Sequence, residues 1–258
     1  MLTTINQDVK EDKPVQAEQV LIIRNLYKSF GNNHVLADFN LELVKGESVV
    51  VLGKSGSGKS VLIKCIIGLL KPDKGSIEMF GKSIPESNHE ELDKVRAKVG
   101  FLFQSNALYD SMTVRENLEF PLRRHWIEVS PKDVNAMVLG ALEDVGLAKT
   151  IDMMPAELSG GMRKRVALAR TLILKPEIIL YDEPTTGLDP ITAKEIIELM
   201  QEIQKKYNTT SLIISHDMNC VRMASNRVVI LFDGRCYAVD TYEQLKQNTD
   251  PKVKQFFE

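Results

Sequence analysis

The feature that most constrains the fold of this sequence is a glycine-rich segment directly after an apolar run. Residues 48–52 read SVVVL, and residues 53–60 read GKSGSGKS, which fits the pattern G-x-x-x-x-G-K-[ST]. Glycines let a backbone wrap closely around phosphate oxygens with its amide N–H groups pointing inward. A helix predicted over residues 59–70 follows at once and adds the partial positive charge of its N-terminus. Strand, loop and helix in this order predict a P-loop NTPase core, whereas an accidental glycine-rich turn would need no such flanks.

This phosphate loop also predicts which atoms contact a nucleotide. Lys59 is expected to reach the β- and γ-phosphates, and the Ser60 hydroxyl is expected to ligate Mg²⁺. The predicted nucleotide-binding residues of the segment are Gly53, Lys54, Ser55, Gly56, Ser57, Gly58, Lys59, Ser60 and Val61.

A second apolar run, EIILY at residues 177–181, ends in two adjacent carboxylates, Asp182 and Glu183. The C-terminal ends of strands are where an open α/β sheet binds ligands. Asp182 is expected to coordinate Mg²⁺ directly or indirectly. Because neighbouring residues of a strand point to opposite faces, Glu183 is expected to point away from the metal and to polarise an attacking water. A strand that ends in Asp-Glu would by itself more often be a solvated turn, but the phosphate loop upstream favours the catalytic interpretation.

A third motif, LSGGM at residues 158–162, opens a predicted helix whose apolar residues between 166 and 173 share one face. Ser159 is a suitable N-cap for this helix. Glycine near a helix start costs up to about 1 kcal/mol relative to alanine. The presence of Gly160 and Gly161 is explained if bare backbone amides must approach an anion. The alternative interpretation is a flexible loop before the helix.

Strand-like and helix-like segments alternate along the rest of the chain. Further strands are predicted at 20–26, 39–44, 76–81, 98–104, 210–214, 228–232 and 236–239, and a further helix at 191–206. The strand signal stops between about residues 106 and 156, where VNAMVLGALEDVGL has helical periodicity. This pattern predicts an α/β fold with a mostly parallel sheet covered on both faces and an inserted helical subdomain.

The predicted organisation is one domain with a short addition at each end. At 258 residues the chain is long for one average domain but short for two. We expect a polar N-terminal extension over 1–18, a nucleotide-binding domain over 19–245 with its helical subdomain at about 106–160, and a short C-terminal helix or tail over 246–258.

Composition excludes several classes of partner and location. With 33 basic and 35 acidic residues the net charge is −2, which offers no electrostatic case for nucleic acid or anionic lipid as a partner. The sequence has no uncharged apolar run of about 18 residues, as a membrane span requires, and its first 13 residues lack an apolar signal-peptide region. Cys65, Cys220 and Cys236 follow no metal-ligand spacing and are expected to be free thiols. We therefore expect a cytoplasmic location.

The three motifs, in this order and spacing, resemble the ATP-binding cassette (ABC) ATPases over about residues 20–245. The resemblance implies ATP and Mg²⁺ as cofactors, N-terminal antiparallel strands beside the P-loop core, and hydrolysis of ATP to ADP and phosphate coupled to transport. It also implies a homodimer of cassettes paired head to tail, in which the LSGG helix of one chain caps the ATP of the other. The residues it assigns to this contact in trans are Ser159, Gly160, Gly161 and, from the segment TGLDP, Asp189.

Further site residues follow from the same resemblance. Gln104 of FLFQ is implied as a Mg²⁺ ligand that also faces a membrane partner, and His216 of IISHD as a contact to the γ-phosphate. Phe30 is implied to stack on adenine, with an ordinary core phenylalanine as the alternative. The implied catalytic residues are Glu183, His216 and Gln104, and the implied Mg²⁺ ligands are Ser60, Gln104 and Asp182.

One departure from the commonest signature, LSGGQ, is Met162. The form LSGGMRKR, together with FLFQSNALYDSMTVRENLEFPL and the terminal DPKVKQFFE, looks like the cassette subunits of Mla/Mce-type phospholipid transporters. That resemblance implies a cassette docked through an integral permease on the cytoplasmic face of the inner membrane, with an MCE-domain lipid-binding protein as a further partner. The apolar side chain of Met162 is expected to weaken polar contacts around the helix cap.

Two other interpretations stay open within the ABC group. The first is a transporter cassette for another cargo, such as amino acids or drugs. The second is a non-transport ABC ATPase, such as one acting in iron–sulphur assembly. Translation-factor cassettes occur in tandem, whereas this sequence has one phosphate loop, and the segment between Lys59 and Asp182 is too short for the coiled coil of chromosome-structuring ATPases.

Overall fold

The structure is a computed structural model that describes residues 18–124 and 130–258. The predicted polar extension over 1–18 lies outside the described residues, except for residue 18. In chain order the elements are β1 (Gln19–Phe30), β2 (Asn33–Val44), β3 (Ser48–Leu52), α1 (Lys59–Ile66), β4 (Lys74–Met79), β5 (Lys82–Ser83), α2 (His89–Ala97), β6 (Val99–Leu102), α3 (Val114–Arg124), α4 (Pro131–Asp144), α5 (Gly160–Leu172), β7 (Ile178–Asp182), α6 (Pro190–Tyr207), β8 (Thr210–Ser215), α7 (Met218–Ala224), β9 (Arg227–Phe232), β10 (Arg235–Asp240), α8 (Tyr242–Lys246) and α9 (Pro251–Lys254).

Two sheets organise these elements. One is antiparallel, with strand order β2-β1-β4-β5, and the other has the order β10-β9-β3-β8-β7-β6. In the second sheet β9, β3, β8, β7 and β6 run parallel, and β10 is added antiparallel at the β9 edge. The predicted α/β class, with a mostly parallel sheet and N-terminal antiparallel strands, is confirmed. The hairpin of β1 and β2 is longer than its apolar runs predicted, because backbone pairing continues from those runs to Phe30 and Asn33.

The central sheet is buried on both faces, which explains the uninterrupted apolar run of β3. Val49 and Val51 pack into a core shared with the antiparallel sheet and α1. Val50 and Leu52 face the other way, into a core shared with α3, α4, α5 and α6. Full burial of such a side chain contributes about 1.5–3 kcal/mol. This strand is therefore held from both sides, and the phosphate loop starts from a fixed point.

The described residues between 106 and 156 contain α3, α4 and two 3₁₀ turns but no strand, in agreement with the predicted helical insertion. In α4 the side chains of Val138 and Leu142 are fully buried, as the helical periodicity predicted. The predicted helix over 59–70 is too long. Helix α1 ends at Ile66 because the amides of Leu69 and Leu70 fold back onto the carbonyl of Lys64.

Three helices, α2, α7 and α8, are not predicted by the sequence analysis. Helix α2 buries only Val95, so apolar periodicity could not reveal it, although its capping box between Asn88 and Glu91 is a recognisable start signal. Helix α7 spans seven residues, too few for a clear period. The predicted C-terminal helix or tail contains α9, whose Val253 is buried against the larger core.

Candidate functional site

The phosphate loop, the carboxylates at the end of β7 and the histidine after β8 meet at the C-terminal edge of the parallel sheet. Strands β3, β8 and β7 are neighbours, and the phosphate loop, His216 and Asp182 lie at or just beyond their ends. A cavity of about 340 Å³ opens at this edge. Its lining residues are Phe30, Val35, Ser55, Gly56, Gly58, Lys59, Ser60, Val61, Gln104, Glu183 and His216. The parallel order of the strands is the physical reason why segments so far apart in sequence share one pocket.

The phosphate loop has a conformation that requires glycine at position 58. Gly58 has φ of +100°, and a Cβ atom there would lie 2.7 Å from Val35 Cγ1. The loop folds around the Lys59 side chain, whose Nζ donates to the carbonyls of Gly53 (2.8 Å) and Lys54 (3.1 Å). Gly53 and Lys54 thus support the lysine rather than line the cavity.

Glu183 lies between the side chains of a lysine and a histidine. Its Oε1 is 3.6 Å from Lys59 Nζ, and its Oε2 is 2.8 Å from His216 Nδ1. Strand alternation does not set this direction, so that part of the prediction is wrong. Strand β7 ends at Asp182, and Glu183 takes the left-handed conformation with φ of +50°. Its amide donates to the carbonyl of Ile214 (2.9 Å), which fixes the turn.

Asp182 has the character of a cation ligand. Its Oδ1 atom is buried and accepts no hydrogen bond from the described residues. Burial, and secondarily the charge of Glu183, raise the pKa of the Asp182 carboxyl. A buried carboxylate oxygen without a protein donor is suited to a metal ion.

The residues present fit Mg²⁺. The hydroxyl of Ser60, the amide oxygen of Gln104 and the carboxylate of Asp182 are the oxygen ligands that Mg²⁺ prefers. Among residues 18–124 and 130–258, no three His, Cys, Asp or Glu side chains are grouped to hold a metal ion.

Phe30 lies at the end of β1, at the rim of the cavity, with 49% of its surface exposed. This exposure excludes the alternative of a core phenylalanine and leaves a ring face free for stacking. Lys28 Nζ lies 5.4 Å from the ring centroid and 2.8 Å from the carboxylate of Asp73. Asp73 also accepts from the amide of Ser29 (2.6 Å), so it fixes the backbone next to Phe30. No sequence pattern pointed to Asp73.

The LSGG segment does not line this cavity. Ser159 is the N-cap of α5, as predicted, and accepts from the amide of Met162 (3.2 Å). The side chain of Met162 packs against the larger core, so it stabilises α5 through apolar contact. The segment therefore presents its helix start elsewhere than toward the nucleotide cavity of its own chain.

The two glycines of this segment differ in their surroundings. A Cβ at Gly161 would lie 2.7 Å from Thr192 Cγ2 of α6, whereas a Cβ at Gly160 would meet no atom within 4 Å. Packing within the chain therefore gives a reason for glycine at position 161 that does not depend on an anion. The contact with Thr192 also places the LSGG segment beside Asp189, the N-cap of α6.

Proteins similar to this chain in sequence are known. A protein-family model described as "ABC transporter" matches residues 36–186, more than half of the chain. The chain is 38% identical over 239 residues to the intermembrane phospholipid transport system ATP-binding protein MlaF of Haemophilus influenzae, covering 93% of this chain and 90% of that protein. It is 40% identical over 234 residues to the probable ribonucleotide transport ATP-binding protein mkl of Mycobacterium leprae, covering 91% of this chain. The chain spans about two thirds (67%) of the length of that mycobacterial protein.

Solved structures show the same fold. A dimeric ATP-binding cassette in a post-hydrolysis state with ADP and phosphate superimposes with a TM-score of 0.78 at 32% identity, over 86% of this chain and 98% of that one. The cbiO1 component of the Clostridium perfringens transporter complex cbiONQ gives a TM-score of 0.82 at 28% identity, over 92% and 94% of the two chains. In the part of the chain that the structure describes, no helix is both long enough and apolar enough to cross a bilayer. The phosphate loop, the carboxylates at the end of β7 and these relationships together show that the chain belongs to the ABC transporter family of ATP-binding cassettes.

Proposed function

We propose that this chain is the ATP-hydrolysing subunit of a transporter that moves phospholipid between membranes, and that it acts as a homodimer docked on an integral permease. The observation that carries the ATPase assignment is the position of Glu183 between Lys59 and His216, beside the unpartnered oxygen of Asp182. The phospholipid cargo is supported by the MlaF relatives, because the alignment covers nearly the whole length of both chains.

The residues of the cavity divide the work of hydrolysis. The glycine-rich loop and Lys59 would bind the phosphates, and the exposed ring of Phe30 would stack on the adenine. Ser60, Gln104 and Asp182 would hold Mg²⁺, which neutralises phosphate charge. The Glu183 carboxylate would accept the proton of the attacking water. His216 is hydrogen-bonded to that carboxylate and would orient the carboxylate toward the γ-phosphate.

A homodimer is supported by where the LSGG segment lies. Ser159 and the open position at Gly160 present a capped helix start outside the nucleotide cavity of their own chain. The start of a helix can bind a phosphate group, and this one could do so if it faces the nucleotide of a second copy of the chain. In that case the hydrolysis rate per subunit rises with subunit concentration, and a rate that stays flat for a verified monomer would contradict the shared site.

Docking on a permease is supported by a groove beside Gln104. The groove has a volume of about 410 Å³ and includes the rings of Phe103, Tyr109 and Phe120. Phe103 and Tyr109 are among the exposed large apolar side chains of the described residues. The lining also contains arginines, namely Arg96, Arg124 and Arg170. Aromatic and arginine side chains are enriched at protein interfaces, so this groove suits an amphipathic helical segment of a partner protein. Through this permease the cassette would lie at the cytoplasmic face of the inner membrane.

The decisive experiment is purification of the tagged chain from membranes of its native host, followed by identification of bound proteins and lipids. We expect an integral membrane protein, an MCE-domain protein and phospholipid. Tyr109→Lys in the groove should release the chain from membranes, whereas Leu69→Lys, at an exposed site outside the groove, should not. Recovery of ribonucleotide, amino-acid or sugar-binding partners would refute the lipid cargo alone, and absence from the membrane fraction would refute the transporter assignment.

A further inference from the structure

The signature helix α5 contains a lysine that is buried without an acidic partner. Lys164 lies in the run Arg163-Lys164-Arg165, yet only 1% of its surface is exposed. Its Nζ donates to the carbonyl of Gln104 at 3.0 Å and lies 3.5 Å from the carbonyl of Phe103. Among the described residues, no carboxylate lies within 4 Å of this ammonium group. A buried charge without a paired counter-charge lowers stability, so its presence calls for another explanation.

The backbone that follows the two carbonyls contacted by Lys164 has an uncommon conformation. Asn106 has φ of +66° and Ala107 has φ of +49°, and left-handed geometry is unfavourable for a residue with a Cβ atom. A second cation of α5, Arg170, donates to the carbonyls of both residues, at 2.9 Å for Asn106 and 2.8 Å for Ala107. Two basic side chains of one helix thus hold the backbone of the segment 103–107, which we name the Gln104 loop.

We propose that Lys164 is a positioning residue for ATP hydrolysis, which acts by fixing the backbone of Gln104 against the signature helix. The inference rests on the proposed function, because it matters only if Gln104 helps to hold Mg²⁺ during ATP hydrolysis. Charge makes the hydrogen bond to the Gln104 carbonyl stronger than a neutral one, and the length of lysine lets it reach that carbonyl from α5. Helix α5 begins at Gly160, so Lys164 connects the end that would cap the partner's ATP to the loop at its own ATP.

The charge state of Lys164 is consistent with this role. Burial lowers the pKa of Lys164 to about 8, and the opposing attraction of Asp182 favours the charged form.

The test replaces the ammonium group while keeping the volume of the side chain, in Lys164→Met of the full chain. Loss of a hydrogen bond from a charged donor changes the corresponding equilibrium constant by about tenfold or more. Amide hydrogen exchange in a peptide covering the Gln104 loop is therefore expected to accelerate about tenfold without nucleotide. The kcat for ATP should fall by a similar factor, with ATP affinity and binding stoichiometry unchanged.

Two further variants separate positioning from folding. Lys164→Gln keeps an N–H donor but loses the charge and some reach, so its kcat should lie between wild type and Lys164→Met. Leu168→Ala removes a fully buried side chain of the same helix and should lower the thermal midpoint, while exchange in the Gln104 loop and kcat per folded molecule stay at wild-type values.

Three outcomes would overturn the proposal. These are a kcat of Lys164→Met within twofold of wild type, loop exchange equal to wild type, or a fall in kcat that matches a loss of ATP-binding sites. Failure of the proposed function is visible separately, because the wild-type chain itself would then show no Mg²⁺-dependent hydrolysis. If wild type hydrolyses ATP and Lys164→Met does so equally, only the role of Lys164 is refuted.

Discussion

The sharpest prediction concerns Glu183→Gln, which keeps the side-chain size but removes the charge that accepts a proton. General-base catalysis of this kind contributes about 10²–10⁴ in rate, or roughly 3–5 kcal/mol of barrier. The contact with His216 (2.8 Å) can persist through the amide, so the geometry of the site should survive. We therefore expect turnover to fall by at least about 10² without loss of the fold.

Nucleotide binding should persist in this variant for a reason visible in the structure. The Lys59 ammonium is held chiefly by the carbonyls of Gly53 and Lys54, at 2.8 and 3.1 Å, and only at 3.6 Å by Glu183. The charge of Glu183 also contributes to the raised pKa of Asp182, so its removal makes the Asp182 carboxylate easier to ionise. Mg²⁺ and ATP should bind at least as well as in wild type.

The assay compares Glu183→Gln with Asp182→Asn in the presence of ATP and Mg²⁺. The first variant should accumulate as an ATP-bound dimer on size-exclusion chromatography with turnover almost abolished. The second should lose nucleotide binding and dimer together, because it removes the negative charge of the carboxylate whose unpartnered Oδ1 is offered to the metal. A variant rate of more than about a tenth of wild type would be a smaller fall than the 10² expected for loss of a general base. In that case Glu183 is not the base, and His216 becomes the first candidate.

Three further predictions follow from the geometry. Ser159→Arg should prevent dimer closure while ATP binding at Lys59 is kept, and equal losses of both would place Ser159 in its own chain's site. Gly161→Ala should lower the thermal midpoint because its Cβ would meet Thr192, whereas Gly160→Ala should reduce hydrolysis with little change in stability; calorimetry and turnover separate the two. Burial lowers the pKa of Lys164 from 10.5 to about 8. Between pH 8 and 10.5 the Lys164 side chain is therefore more protonated in the unfolded chain than in the folded one. The free energy of unfolding of wild type should therefore rise from pH 8 to 10.5 relative to Lys164→Met, and parallel denaturation curves would contradict this.

The local parts of the site follow from the sequence because each is contiguous. The phosphate loop needs only eight adjacent residues with a strand before and a helix after them, and the Ser159 cap needs only the start of α5. Apolar periodicity likewise predicted β3 and α4, since each buries a regular set of side chains. The polar helix α2 escaped because its stability comes from capping rather than burial.

Tertiary structure alone decides which of these segments meet. The neighbouring positions of β3, β8 and β7 bring Lys59, His216 and Glu183 within hydrogen-bond or ion-pair distance, and strand order depends on long-range packing that no local pattern encodes. Packing against Thr192 gives a reason for glycine at position 161 that its sequence neighbourhood did not reveal. The burial of Lys164 is the clearest case. A run of three basic residues is typical of a solvated surface, and only the approach of the Gln104 loop to α5 removes the middle one from water.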